Sequence, residues 1–141
     1  MLITVDTNII YQALRSSTGA SYEIFRLIRN GEIRMALSHA VLLEYEAVLT
    51  RGESVKYFDL TLEDINKVLR FIAYISEKFE PKFLFRPNLL DEDDNIFVEL
   101  AVVSQSSYII TRNLKDFRNS ELKFDSFEVI TPSDFIKIWR K

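Results

Sequence analysis

The chain has 141 residues, 48% of them hydrophobic and 28% charged, which suits one globular domain with a substantial buried core. It has no cysteine and a single histidine, His39, so disulfide frameworks, cysteine-based zinc sites and histidine-cluster sites are excluded. Any bound metal needs oxygen ligands, which suit Mg²⁺ or Mn²⁺. The net charge of −3 carries no global basic footprint, although a local basic patch stays open. No apolar stretch approaches the roughly 20 residues of a membrane span. Asp6 interrupts the first apolar run too early for a signal peptide, so the cytoplasm is the expected compartment.

The chain opens with four mostly apolar residues, Leu2 to Val5, followed at once by Asp6-Thr7-Asn8. This reads as a short buried strand, a sharp turn and a helix over about 8–15 carrying Ile9, Ile10, Ala13 and Leu14. Taken alone, Asp6 or Thr7 is a helix N-cap. A second helix is expected over Ala20–Arg29, with Asn30-Gly31 as its stop, and a second strand over 33–38. His39–Arg51 reads as a helix with a stripe of Val41, Leu42, Tyr45, Val48 and Leu49. Glu44 and Glu46 flank that stripe on opposite sides, so periodicity leaves open which of them faces inward.

Gly52–Leu60 reads as a connecting loop. Thr61 and Asp64 resemble a capping box for a helix running to about Phe79. Glu80–Leu90 contains Pro81 and Pro87 and reads as irregular, with a brief extended piece at Phe83–Phe85. Asp91 to Asp94 open a helix through about Ser104. Tyr108–Ile110 is a short strand, Leu114–Phe117 a helical turn, and Phe127–Ile130 a last strand. Thr131-Pro132-Ser133-Asp134 starts a closing helix. Strands alternating with helices imply an α/β fold: one three-layer α/β/α sandwich with a mainly parallel central sheet.

Acids gather where such a sheet would bring them together. Asp6 follows the first strand, Asp91–Asp94 precede the Tyr108–Ile110 strand, and Asn113 and Asp116 follow it. Glu44 comes from the helix after the second strand. Each has an ordinary explanation in a helix cap, the helix dipole or a solvated flank. Jointly, polar groups follow both of the shortest apolar strands at the same relative place. Converging carboxylates repel one another, and a divalent cation relieves that cost.

Four segments resemble the PIN domain, the metal-dependent ribonuclease fold of VapC-type toxins. They are Ile3–Ile10, Leu37-Ser38 with Glu44-Tyr45, Leu90–Ala101, and Ser107–Asn113 with Asp116-Phe117. Val129–Phe135 resembles the family's closing strand and helix. The resemblance implies that Asp6, Glu44 and Asp94 are the core acids that bind Mg²⁺ or Mn²⁺, and it selects Glu44 over Glu46. It implies supporting roles for Asn8, Asp91, Thr111, Asn113 and Asp116. Asn113 stands where many members carry Asp, so the site is one charge short, and Asp116 is placed to compensate. Arg112 and Lys115, flanking these motifs, and Arg15 are candidates for contact with substrate phosphate.

The implied activity is endonucleolytic hydrolysis of RNA. The implied partners are an antitoxin protein and a second copy of the chain. The competing expectation is a PIN-like module that binds RNA or protein without cutting. A receiver-like signalling module also gathers acids around Mg²⁺, but no phosphate-sensing lysine follows a late strand here.

Overall fold

A computed structural model of the chain describes residues 1–81, 95–118 and 127–141. Its centre is β1 (Leu2–Val5), whose residues are buried from Ile3 onward. The β-branched Ile3, Thr4 and Val5 suit a pleated strand covered on both faces. On one side of β1 lie β2 (Arg34–Leu37) and β3 (Glu77–Lys78). On the other lie β4 (Tyr108–Ile110) and β5 (Glu128–Ile130). The order is β3-β2-β1-β4-β5, and every described pairing is parallel. Ile3 pairs with Met35 on one side and Tyr108 on the other, and Val5 pairs with Ile110.

This order fixes where a ligand can sit. The chain steps outward from β1 to β2 and β3, then returns to the far side of β1 for β4 and β5. The direction of travel reverses between β1 and β4. Open parallel sheets bind ligands outside the carboxyl ends of their strands at such a reversal. The residues that emerge there are Asp6 from β1 and Thr111 from β4.

Helices flank the sheet. α1 (Thr7–Arg15), α2 (Ala20–Arg29) and α8 (Pro132–Trp139) form one packed group, α1 meeting α2 and α2 meeting α8. α3 (His39–Leu49), α5 (Leu62–Ile75) and α6 (Asn95–Ser104) form another, in which α3 touches both of the others. α1 also meets α3, which brings the first turn of one beside the middle of the other. Ile3, Ile9, Ile24, Met35, Tyr45, Phe97, Ile109 and Phe135 are almost wholly excluded from water in the shared core. Among the described residues, no helix is long and apolar enough to cross a membrane.

The helix starts follow local chemistry. Ser38 caps α3 by accepting from the Val41 N–H at 3.2 Å, and Thr131 caps α8 from Asp134 at 3.2 Å, with Pro132 at the first helical position. The capping box of α5 forms as expected. Thr61 Oγ1 accepts from the Asp64 N–H at 3.0 Å, and Asp64 Oδ2 accepts from the Thr61 N–H at 3.2 Å. α2 ends near Gly31, whose φ of 77° is a backbone state that favours glycine.

Two stretches depart from the sequence expectation. The 52–60 segment contains a helix, α4 (Gly52–Phe58), rather than a loop throughout. Ser54 and Phe58, one turn apart, are both buried, and the Ser54 hydroxyl donates to the Val48 carbonyl at 2.9 Å. Tertiary packing overrides the weak helix signal of a Gly start. The long helix ends at Ile75 rather than near Phe79, because Ser76 is extended and Glu77-Lys78 pair with Ala36 and Leu37 as the edge strand β3. Arg34 and Glu77 form an ion pair of 2.5 Å across these two strands. A charged pair of residues gives no apolar alternation to read, yet charge suits an edge. The expected extended piece at Phe83–Phe85 and the expected helix start at Asp91–Asp94 lie outside the described residues.

A chain of hydroxyls fastens β1 to the α6–β4 connection. Thr4 Oγ1 bonds Ser106 Oγ at 2.9 Å, and Ser106 Oγ bonds Ser104 Oγ at 2.7 Å, with all three residues buried. Ser106→Ala strands the buried Thr4 hydroxyl and leaves Ser104 Oγ only its long bond to the Ala101 carbonyl, and is expected to cost about 1–3 kcal/mol in denaturant unfolding. An unchanged midpoint would rule out that role. The Asp64 carboxyl is held below the ordinary aspartate value of 3.8 by its hydrogen bonds with the Thr61 backbone and side chain. Its folded value is depressed, so its stabilising effect is full at neutral pH and is lost as pH falls through that value. The difference in Tm between wild type and Asp64→Ala is therefore expected to shrink below about pH 4.

Candidate functional site

Asp6 is the N-cap of α1 as well as the last residue of the β1 ladder. Its N–H donates to the Ile110 carbonyl at 2.9 Å, which extends the β1–β4 pairing one step beyond the strands. Its backbone is extended, and its side chain turns back over the helix start. Oδ1 accepts from the Thr7 N–H at 2.8 Å. Oδ2 accepts from Thr111 Oγ1 at 2.6 Å and from Asn8 Nδ2 at 3.2 Å. A carboxylate offers about four acceptor directions, so roughly one, on Oδ1, is left for a ligand.

Its bracing residues are themselves held. Thr111 Oγ1, while donating to Asp6, accepts from the Asn113 N–H at 3.0 Å. Asn8 Oδ1 accepts from the Arg112 N–H at 3.3 Å. The turn after β4 is thus tied twice to the turn after β1. Asp6 is 6% exposed, and burial pushes its carboxyl above the usual value. The hydrogen bond from Thr111 is the largest opposing effect, and the negative charge of Asp116 raises the value further. A buried acid whose charge is opposed by desolvation and by a like charge is one that a cation would stabilise.

A second tie comes from α3. The Tyr45 hydroxyl donates to the Val5 carbonyl in a short, buried hydrogen bond. Burial, and secondarily the charge of Asp6, hold the phenol well above its ordinary value, so it remains a donor. Tyr45 follows Glu44 and Val5 precedes Asp6, so one bond joins the neighbours of two acids. Within the stripe of α3, Val41, Tyr45 and Leu49 are buried, Glu44 is half-buried and Glu46 is exposed.

Asp6, Asn8, Glu44, Asn113 and Asp116 line a single cleft of about 260 Å³, with Thr7, Tyr11, Val48 and Phe97 completing its walls. Asp116 reaches it from α7 (Leu114–Arg118), a short helix anchored by the buried Phe117. Thr111 is fully buried beneath it. Asp91 and Asp94, the other expected members, lie outside the described residues. Among the described residues no three acidic or histidine side chains form a ready metal cage. Three carboxylates and two amides nonetheless share the cleft, and their oxygens are the donors it offers. With the like-charge repulsion on Asp6, that set fits a hard divalent cation rather than a soft one.

The expected phosphate contacts are placed differently from one another. Lys115 is exposed and is not among the described residues lining this cleft. Arg15 stacks its guanidinium 4.4 Å from the centre of the Tyr57 ring and is not among the described residues lining this cleft. Arg112 lines a second hollow, which α1 borders through Gln12. Sequence reasoning did not single out Tyr11 or the Tyr45 hydroxyl. Tyr45 sat in an apolar stripe and read as core, and the available signal was that a buried tyrosine needs a partner for its O–H.

A family profile described as PIN domain matches residues 3–115. Among solved structures the chain is similar to VapBC2 from Rickettsia felis bound to a DNA fragment from their promoter. The identity is 17%, the alignment covers 93% of this chain and 98% of that one, and the TM-score is 0.63. No curated protein matches the chain. The structural likeness is one of fold, and the profile spans the turn at Asp6, the helix of Glu44 and the turn at Asn113. The chain belongs to the PIN domain family.

Proposed function

We propose that the protein is a Mg²⁺- or Mn²⁺-dependent endoribonuclease, the toxin of a toxin–antitoxin pair acting in the cytoplasm. The observation that carries this reading is a rigidly held, buried Asp6 at the sheet's reversal point, sharing one cleft with Glu44, Asn113 and Asp116. Asp6, Glu44 and Asp94 are the proposed metal ligands, with Asp91, Asn113 and Asp116 beside them. A divalent cation bound there would neutralise the acids, activate a water and offset charge developing on a phosphate.

The chain's own residues supply position and proton transfer. Thr7, Asn8 and Thr111 keep the Asp6 carboxylate from rotating. Glu44, half-buried on the opposite wall, takes a proton from the attacking water. The water oxygen bonds to phosphorus as the bond to the ribose 3′-oxygen breaks. The products are a 5′-phosphate and a 3′-hydroxyl. The fold shared with VapBC2 supports an antitoxin partner, and self-association belongs to the same reading.

Asn113 favours a second reading, in which the chain binds RNA or a partner protein and cuts weakly or not at all. It places an uncharged amide in the cleft. The two readings differ in a cleavage assay on single-stranded RNA with Mn²⁺. Asp6→Asn is expected to slow cleavage roughly 100-fold or more, the several kcal/mol that metal-assisted catalysis contributes. Glu44→Gln is expected to cost about 10²–10⁴-fold. Equal rates for wild type and Asp6→Asn would overturn the nuclease reading. Asn113→Asp is expected to lower the Mn²⁺ concentration needed for half-maximal rate, and an unchanged Mn²⁺ dependence would show that the amide costs nothing.

A further inference from the structure

The hollow that Arg112 lines has the opposite chemistry to the acidic cleft. Its volume is about 340 Å³, and the described residues lining it include no carboxylate. They are mainly small, hydroxyl or amide residues with Arg112 as the charged group: Gln12, Ser16, Thr18, Ser21 and Ser133 stand around it. Two helices begin at its wall, α2 after Gly19 and α8 after Thr131, both contributing lining residues from their first turns.

Helix N-termini present unpaired N–H groups and a positive dipole end to whatever lies in front of them. At α2 no side chain fills that role, since Gly19 stands at the cap position. Glu23, the acid in the first turn of α2, is occupied. It is paired with Arg26 at 2.6 Å and Arg140 at 3.8 Å.

Two side chains point independently to a ligand. Ser21 is only 9% exposed and lines the hollow, and its hydroxyl, which keeps access to solvent there, makes no hydrogen bond among the described residues. Arg112, an exposed residue, lines the same hollow and has no carboxylate partner among the described residues. The uncapped start of α2, the Ser133 N–H in the capped first turn of α8, the Ser21 hydroxyl and Arg112 border one hollow, and a tetrahedral oxyanion suits that set of donors.

The hollow is also joined to the acidic cleft. α1 walls both, with Asn8 and Tyr11 on one and Gln12 on the other. Arg112 links them, since its N–H is bonded to Asn8 of the acidic cleft and the residue lines the hollow. We propose that this hollow between the starts of α2 and α8 is a second phosphate subsite, which holds a backbone phosphate of the RNA strand beside the one being cleaved. The proposal rests on the nuclease reading for the identity of the strand, but the anion site stands on its own geometry. The subsite positions the strand and carries no base readout.

The test uses the full chain in EDTA, so that nothing is cut. In a ¹H–¹⁵N titration, inorganic phosphate and, separately, a single-stranded oligoribonucleotide are expected to shift the amides of Ser21, Tyr22 and Ser133. In anisotropy measurements, Arg112→Ala and Ser21→Asp are each expected to weaken oligoribonucleotide binding about 5- to 10-fold. Each should also reduce the slope of log affinity against log salt by about 0.7, one single-strand phosphate contact.

Matching thermal melts confirm that the variants are folded, and Ser21→Ala provides a milder check should Ser21→Asp fail to fold. No shift at these amides with either ligand overturns the site. Shifts with phosphate but not with the oligoribonucleotide overturn its assignment to the RNA backbone. Wild-type affinity and slope in folded variants overturn it as well, even in a protein that cleaves RNA. If cleavage fails in Mn²⁺ while shifts and slopes behave as expected, the nuclease reading falls and the subsite stands.

Discussion

The structure depends on one buried carboxylate. Asp6 lies where the sheet changes its direction of growth, and it is held by three donors from the turns after β1 and β4. Desolvation opposes its charge, and Asp116 adds to that opposition. A folded domain keeps such a group only if its surroundings are built around it. Here they are: Thr111 and Asn8 serve Asp6 directly, and the backbone of Asn113 and Arg112 is held in turn by those two side chains. Unlike a cap that only completes a helix, this one also joins the two strands between which the sheet reverses.

Much of this arrangement was legible in the sequence for a physical reason. Short parallel strands buried on both faces read as apolar runs, and the first polar residue after each run marks a strand's carboxyl end. That logic located Asp6, Thr111 and Asn113 without knowledge of strand order. The parallel order then placed them side by side. Glu44 was different. Its position relative to the stripe of α3 was ambiguous by periodicity, and what turns it toward the cleft is the packing of Val41, Tyr45 and Leu49 into the core.

What was not legible depended on long-range packing. α4 begins at a glycine and has only a few apolar positions, and its helix is stabilised by the burial of Phe58 and a bond from Ser54 back to α3. β3 is two charged residues whose strand character comes only from pairing with β2. The division of labour among the basic residues was equally hidden. Arg15 and Arg112 are both near the acidic turns in sequence, yet one stacks on Tyr57 and the other lines the hollow between the starts of α2 and α8. The two hollows that α1 borders have opposite electrostatic character as a result.

The bond from Tyr45 to the Val5 carbonyl has a consequence for how the cleft tolerates change. Glu44 and Asp6 approach from different elements, and their spacing would ordinarily vary with every shift of α3 against the sheet. Because the residues beside them are joined by one buried hydrogen bond, helix and strand move together there. The bond acts as a fixed gauge block between the two acids. Surface segments such as α4 and the β3 edge can therefore drift in sequence and shape while the gap between the acids keeps its width.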